Sequence, residues 1–311
     1  MTRLSGGTRV DEFEELRPHL LSVAYRLTGT VADAEDVVQD AWLRWDRSSA
    51  GDDTGAITDL RAWLTTVVSR LALDRLRSAA HRRETYYGEW LPEPVVTPLD
   101  RDDPLATVVA GEDARFAAMV VLERLNPDQR VAFVLHDGFA VPFGEIASVL
   151  GISDAAARQL ASRARRAVAG SPPAVTDEIH NEVVGRLMVA LASGDMEAVV
   201  RVLHPDVTFT GDSNRRAPTA ARVIHGPDKV ARFLFGLAAR YRPGAMSSGQ
   251  PANINGQLGT YYVGFPGGDG YPEMMPRVTA MTVRDGKVCA IWDIANPDKF
   301  TGSPLRRDSP R

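Results

Sequence analysis

The chain has 311 residues, 44% of them apolar and 7% aromatic, which is enough to bury cores in two or three domains and excludes wholesale disorder. Its formal charge is only −4, so any contact with nucleic acid has to come from a locally basic face. The single cysteine, Cys289, excludes an intrachain disulfide and a multi-cysteine metal site, and no segment approaches the roughly 20 apolar residues of a membrane span, which predicts a cytoplasmic protein without membrane contact.

The first predicted helix carries Phe13, Leu16, Leu20, Val23 and Leu27 at helical spacing. Gly29 stops it, and Thr30 caps a second helix whose inner stripe is Val37, Val38, Ala41, Trp42 and Trp45. Asp33, Asp36 and Asp40 fall on the opposite side, with Gln39 beside them. By itself such a face reads as an ordinary solvated surface. Residues 46–59 are rich in Asp, Gly and Ser and read as a loop.

A third helix is predicted over residues 60–80, with Leu60, Leu64, Val67, Leu71 and Leu76 inward. Arg70, Arg77 and His81 form a line of cations along its outside, Arg75 and Arg82 a neighbouring line, and Arg83 follows. The only carboxylate between residues 61 and 83 is Asp74, placed to pair with Arg70 or Arg77. Such a helix suits phosphate contacts, which position DNA without reading it. Trp63 shares the core spacing of Leu60 and Val67; stacking on an unpaired base is the alternative.

Residues 89–110 hold four prolines and several aspartates and are predicted to be an extended connector. Its Trp90-Leu91 pair is out of place in a plain spacer and suggests docking against something. Four helices are predicted next, within residues 111–170. Asn126-Pro127 is a strong start signal, and residues 143–167 have the spacing of a helix-turn-helix around Gly151-Ile152-Ser153. Its second helix has Ala157, Leu160, Ala161 and Ala164 inward and presents Arg158, Gln159, Ser162, Arg163, Arg165 and Arg166. Arg and Gln are the side chains that read guanine and adenine edges in the major groove.

The last domain is predicted over residues 178–302. Helices come first, from about Asp177 and over residues 226–240, and antiparallel hairpins follow at Asn255-Gly256 and Asp285-Gly286, an α+β order. His204-Pro205-Asp206 reads as a turn, and Cys289 as a buried, inert thiol. Asp212, His204, Tyr261, Tyr262, Trp292 and Asp293 are candidates to line a pocket, but their spacing defines no acid–base pair, and each reads first as structural. No catalytic residue, cofactor or metal site is predicted.

The two helical segments together resemble an extracytoplasmic-function sigma factor of the sigma-70 superfamily. Residues 13–84 look like region 2 (the domain over residues 10–88), and residues 114–169 like region 4. The pentapeptide Trp90-Leu91-Pro92-Glu93-Pro94 resembles a linker motif of the subgroup that carries a C-terminal SnoaL or NTF2-like domain. The resemblance implies a multidomain chain, two all-α domains followed by an α+β domain, whose partners are core RNA polymerase, through the β′ clamp and the β flap, and promoter DNA. It assigns Asp33, Asp36, Gln39 and Asp40 to the polymerase clamp. It assigns Arg70, Arg75, Arg77, His81, Arg82 and Arg83 to the −10 element, with base capture by the 46–59 loop. It assigns residues 158–166 to the −35 element. The connector and the C-terminal domain would regulate the factor in cis. One departure stands out: the Asp-Gly-Gly-Gly-Lys run of the subgroup reads Asp212-Ser213-Asn214-Arg215-Arg216 here. Two rival readings are an enzyme or ligand-sensing domain fused to the transcription module, and a ligand-sensing repressor that never meets polymerase; the acidic helix speaks against the second.

Overall fold

The computed structural model describes residues 9–48, 57–83, 86–99, 103–169 and 175–300. The helices and strands run α1 (Arg9–Thr28), α2 (Val31–Ser48), α3 (Leu60–Arg83), β1 (Val96–Thr97), α4 (Pro104–Val108), α5 (Phe116–Leu122), α6 (Pro127–Phe133), α7 (Phe143–Leu150), α8 (Asp154–Val168), α9 (Asp177–Ala192), α10 (Met196–Val202), β2 (Leu203–Asp212), β3 (Ile224–His225), α11 (Pro227–Ala238), β4 (Gln250–Ile254), β5 (Gln257–Tyr262), β6 (Arg277–Arg284) and β7 (Lys287–Ile294). They form two compact units that do not follow chain order. One holds the described residues of Met1–His81 and Leu122–Gly170, the other those of Arg82–Val121 and Ser171–Arg311.

The first unit is all-helical. Phe13 meets the edge of Trp42 at 5.0 Å and stacks on Trp45 at 6.2 Å, closing α1 on α2. The Thr30 hydroxyl accepts the Asp33 amide at 3.1 Å, the predicted cap. Gly29 has φ +79°, and a Cβ there would lie 2.4 Å from Glu123 Oε1, so both backbone and space demand glycine. That Glu123 pairs with Arg130 at 2.8 Å, almost wholly buried, and Arg130 Nε donates to the Arg26 carbonyl at 2.9 Å. This polar bolt fastens α6 to α1. Asn126 and Gln129 complete a capping box at the start of α6.

In the second unit the sheet order is β1-β4-β5-β6-β7-β2-β3. The two predicted hairpins are present: Ile254 pairs with Gln257 and Arg284 with Lys287, with positive φ at both residues of each turn. Helices α9, α10 and α11 cover the sheet through Val183, Leu187, Val199, Val230, Phe209 and Ile291. Cys289 is buried as predicted, and burial pushes its thiol pKa up.

Several expectations need correction. β2 pairs with β7 in parallel, a long-range pairing absent from the predicted hairpins. His204-Pro205-Asp206 lies within β2, where the register with β7 slips between Leu203 and Thr208, so the proline sits in an irregularity rather than a turn. The first of the four helices predicted within residues 111–170 is a single 3-10 turn at residues 112–114 followed by the short α5. The connector is no free spacer: residues 91–97 are buried throughout, and β1 extends the sheet by pairing with β4. Most of the 46–59 loop lies outside the described residues, as do the side chains of His81, Arg82 and Arg83.

Candidate nucleic-acid and protein interfaces

On α2 the acidic set faces outward, with Gln39 exposed beside it. Its charge is not free. Arg75 of α3 reaches Asp33 at 3.0 Å, Asp36 at 3.1 Å and Asp40 at 3.7 Å. Partial burial lowers the Arg75 pKa, but the hydrogen bonds Arg75 donates to Asp33 and Asp36, with the charges of those carboxylates, hold it above its ordinary value. Arg75 therefore leaves the cationic row it was predicted to extend, because the neighbouring helix offers three carboxylates.

The rest of that row is engaged by the other helical segment of the same unit. Arg70 donates to the Ser148 carbonyl and hydroxyl of α7, both at 3.0 Å, and Arg77 pairs with Asp128 of α6 at 3.0 Å. Both arginines stay exposed. Ser148 and Asp128 thus stand where Asp74 was expected to pair with Arg70 or Arg77. Beneath them the His19 ring meets Phe139 edge-on at 5.3 Å, hydrogen-bonds Arg61 and Thr65, and has its pKa lowered to about 4, first by burial and then by Arg61 and Arg26. Trp63 is half-buried.

The helix-turn-helix forms as its spacing predicts. Gly151 ends α7 at φ +70°, and the Ser153 hydroxyl caps α8 by accepting the Ala156 amide. Ala157, Ala161 and Ala164 are fully buried, which lets α8 lie close against α6 and α7. Gln159, Ser162, Arg163 and Arg166 face solvent, and Arg158 lies over the Phe143 ring at 5.2 Å. Arg165, exposed like them, also pairs with Asp137 at 2.6 Å.

The linker motif docks within the second unit. Asp212, 1% exposed, accepts the Leu91 amide at 2.7 Å and the Tyr86 hydroxyl, and pairs with Lys299 at 2.5 Å. Lys299 also donates to the Leu91 carbonyl and sits 3.7 Å from the Trp90 ring centre. Burial, reinforced by the Asp212 charge, pushes the Tyr86 pKa up, so the phenol keeps its proton. Asn255 exchanges two hydrogen bonds with Val95 and donates a third to the Ala114 carbonyl, and Phe116 packs on Trp292. Pro92, Glu93 and Pro94 are buried. In the departing run, Asn214 and Arg215 take positive φ; Asn214 accepts the Tyr87 amide, and Arg215 stacks on the Tyr87 ring at 3.5 Å.

Of the six predicted pocket candidates, Tyr262 and Asp293 do line a cavity in this unit, of about 270 Å³. Asp212 belongs to the clasp, Trp292 packs with Leu91 in an apolar cluster, and His204 lies against Arg284. Lys299 and Arg277 escaped the sequence reading. One faint signal for Lys299 existed: only three of the 36 basic residues are lysine.

The sequence matches the Sigma-70 region 2 family over residues 13–82 and the Sigma-70, region 4 family over residues 115–168. It is 71% identical over 300 residues to the ECF RNA polymerase sigma factor SigJ of Mycobacterium tuberculosis, covering 96% of this chain and 95% of that one. It is 32% identical to the probable ECF RNA polymerase sigma factor SigI of the same species, covering 94% of each. The crystal structure of M. tuberculosis SigJ superimposes with a TM-score of 0.83 at 69% identity, over 96% of this chain and 100% of that one.

Proposed function

The chain belongs to the extracytoplasmic-function sigma factors of RNA polymerase, and from that premise we propose how its surfaces divide the work. A member of this family is a transcription initiation factor that binds core polymerase and promoter DNA; it carries out no bond chemistry of its own. The finer assignment is that Asp33, Asp36, Gln39 and Asp40 meet the β′ clamp, region 4 meets the β flap, Arg70 and Arg77 contact phosphates at the −10 element, and Arg158, Gln159, Ser162, Arg163 and Arg166 face the −35 major groove. Its place of action is the cytoplasm, with the polymerase. The observation that carries this reading is the exposed polar face of α8, held on an alanine-packed helix-turn-helix.

The described arrangement is a closed one. Elements named −35 and −10 lie about 25 base pairs apart, roughly 85 Å at ~3.4 Å per base pair. The longest helix, α3, has 24 residues and spans about 36 Å. With Arg70 on Ser148 and Arg77 on Asp128 at 3.0 Å, the two helical segments are too close to occupy both elements. Promoter binding therefore exchanges these contacts for phosphate contacts. The connector between the segments is held by the C-terminal domain through Asp212, Lys299 and Asn255, so that domain biases how far they separate. Run-off transcription with purified core polymerase tests the reading. The full chain yields a promoter-specific transcript, and Asp36→Lys with Asp40→Lys loses it; a wild-type chain that never directs core polymerase to a promoter overturns the proposal.

A further inference from the structure

The arginines of α8 are not held alike. Arg165 is tied to Asp137 through its Nε at 2.6 Å. Among the described residues Arg158 has no carboxylate partner; its guanidinium carbon lies over the Phe143 ring, 5.2 Å from the centroid. An ion pair uses the N–H donors of a guanidinium, whereas a contact through its face leaves them free for a base edge. The ring beneath Arg158 is itself fixed. Phe143 is half-buried and stacks on the His136 imidazole, with ring centres 3.9 Å apart and planes 27° from parallel. His136 Nδ1 lies 3.1 Å from the Val141 carbonyl, which can only accept, so Nδ1 carries the proton there. His136 belongs to a π-helical turn, Val134–Gly138, closed by the Val141 amide on the Leu135 carbonyl at 2.9 Å and the Ala140 amide on the His136 carbonyl at 3.1 Å. His136, Phe143 and Arg158 are thus stacked layers between that turn and the first half of α8, the part of a recognition helix that meets base edges.

We propose that Phe143 is a positioning residue for promoter choice: it holds the Arg158 guanidinium over one base pair of the −35 element, with His136 as its backing. This rests on the reading that α8 faces the −35 major groove. The gain is in discrimination more than in affinity. A guanidinium already held in place pays little ordering entropy when it meets guanine bidentately. Over another base it is left with unpaired donors, and the mismatch is felt in full. A guanidinium released from the ring swings to a phosphate instead and hides the mismatch. An aliphatic side chain in place of Phe143 keeps the apolar contact but offers no π face, so the preference narrows at that one base pair. Loss of packing alone has a different signature, because it lowers affinity for every sequence by the same factor.

The test uses the full chain in complex with core RNA polymerase and a promoter library varied at each −35 position, with relative affinities read by sequencing the bound fraction. Arg158→Ala flattens the preference at the base pair that Arg158 reads by about tenfold and so locates it. Phe143→Leu narrows the preference at that same pair about three- to fivefold and leaves the other positions unchanged. Phe143→Tyr, which keeps a π face, restores the wild-type preference. Should Phe143→Leu fail to fold by circular dichroism, His136→Ala keeps the ring, removes its backing and narrows the same pair about threefold. No change at any position in Arg158→Ala overturns the facing of α8 and this proposal with it. A clear Arg158→Ala effect overturns the positioning role alone if the folded Phe143→Leu, or His136→Ala in its place, keeps that preference within about twofold of the wild type. An equal loss for all sequences in that variant, or a Phe143→Tyr variant as flat as Phe143→Leu, does the same.

Discussion

Replacing Lys299 by methionine tests the clasp that holds the connector. The variant preserves length and apolar contact but removes the ammonium 2.5 Å from Asp212. Asp212 is 1% exposed and would keep only neutral donors, the Tyr86 hydroxyl and the Leu91 amide. Removing one partner of a buried ion pair costs about 3–5 kcal/mol, because the remaining charge stays out of water. The cost falls on the bound state of the connector, so its opening becomes easier by that amount. At about 1.4 kcal/mol per factor of ten, hydrogen–deuterium exchange in peptides covering residues 86–97 should speed up by roughly 10²- to 10⁴-fold. Adding Asp212→Asn neutralises the stranded charge while still accepting the Leu91 amide, and should slow exchange again by about tenfold or more. Exchange in Lys299→Met within threefold of the wild type would refute the reasoning, as would a double variant that exchanges no more slowly than the single one.

Other consequences concern the helical unit. Arg75→Ala should change stability by less than about 1 kcal/mol in urea titrations, since its carboxylate partners are partly exposed, yet raise affinity for core polymerase a few-fold by freeing Asp33, Asp36 and Asp40; a loss of core affinity would contradict the assignment of that face. Arg77→Ala should weaken promoter binding uniformly across sequences and lower the slope of log affinity against log salt by about one, whereas Arg163→Ala should shift preference among −35 sequences by about 1–3 kcal/mol. Binding assays over a salt series and a −35 library separate the two, and an Arg163→Ala effect equal for all sequences would count against base reading. His19 has its folded pKa lowered to about 4 from an ordinary 6.5, so the unfolded chain takes up the proton first. Its contribution is therefore whole above pH 6.5 and is lost as pH falls from 6.5 towards 4. His19→Gln should lose less stability between pH 7 and pH 5 than the wild type, and an identical loss would refute the assignment.

Much of the architecture was legible because its signals are local. Asn126-Pro127 starts a helix through a capping box closed within four residues. Asn255-Gly256 and Asp285-Gly286 supply two consecutive positive φ angles, which few other pairs tolerate. Gly151 and Ser153 end one helix and cap the next only two positions apart, and the alanine spacing of α8 follows from helical periodicity alone. The suspicion that Trp90-Leu91 docks was readable as well, since an apolar pair amid prolines has no local use; both sit in the clasp.

What the amino-acid order determined alone is therefore which stretches are helix or hairpin, which faces are apolar, and where cations and carboxylates stand along each helix. Tertiary structure alone decided their partners. Arg75 turned from the presumed DNA row to the acids of α2, the connector became a strand of a sheet formed about 160 residues later, and Lys299 found Asp212 across 87 positions. A turn or cap depends on neighbours within one helical turn, so its chemistry is written in adjacent residues. A buried charge is matched only when the folded path brings a counter-charge to it, and that path is settled by the packing of the whole core.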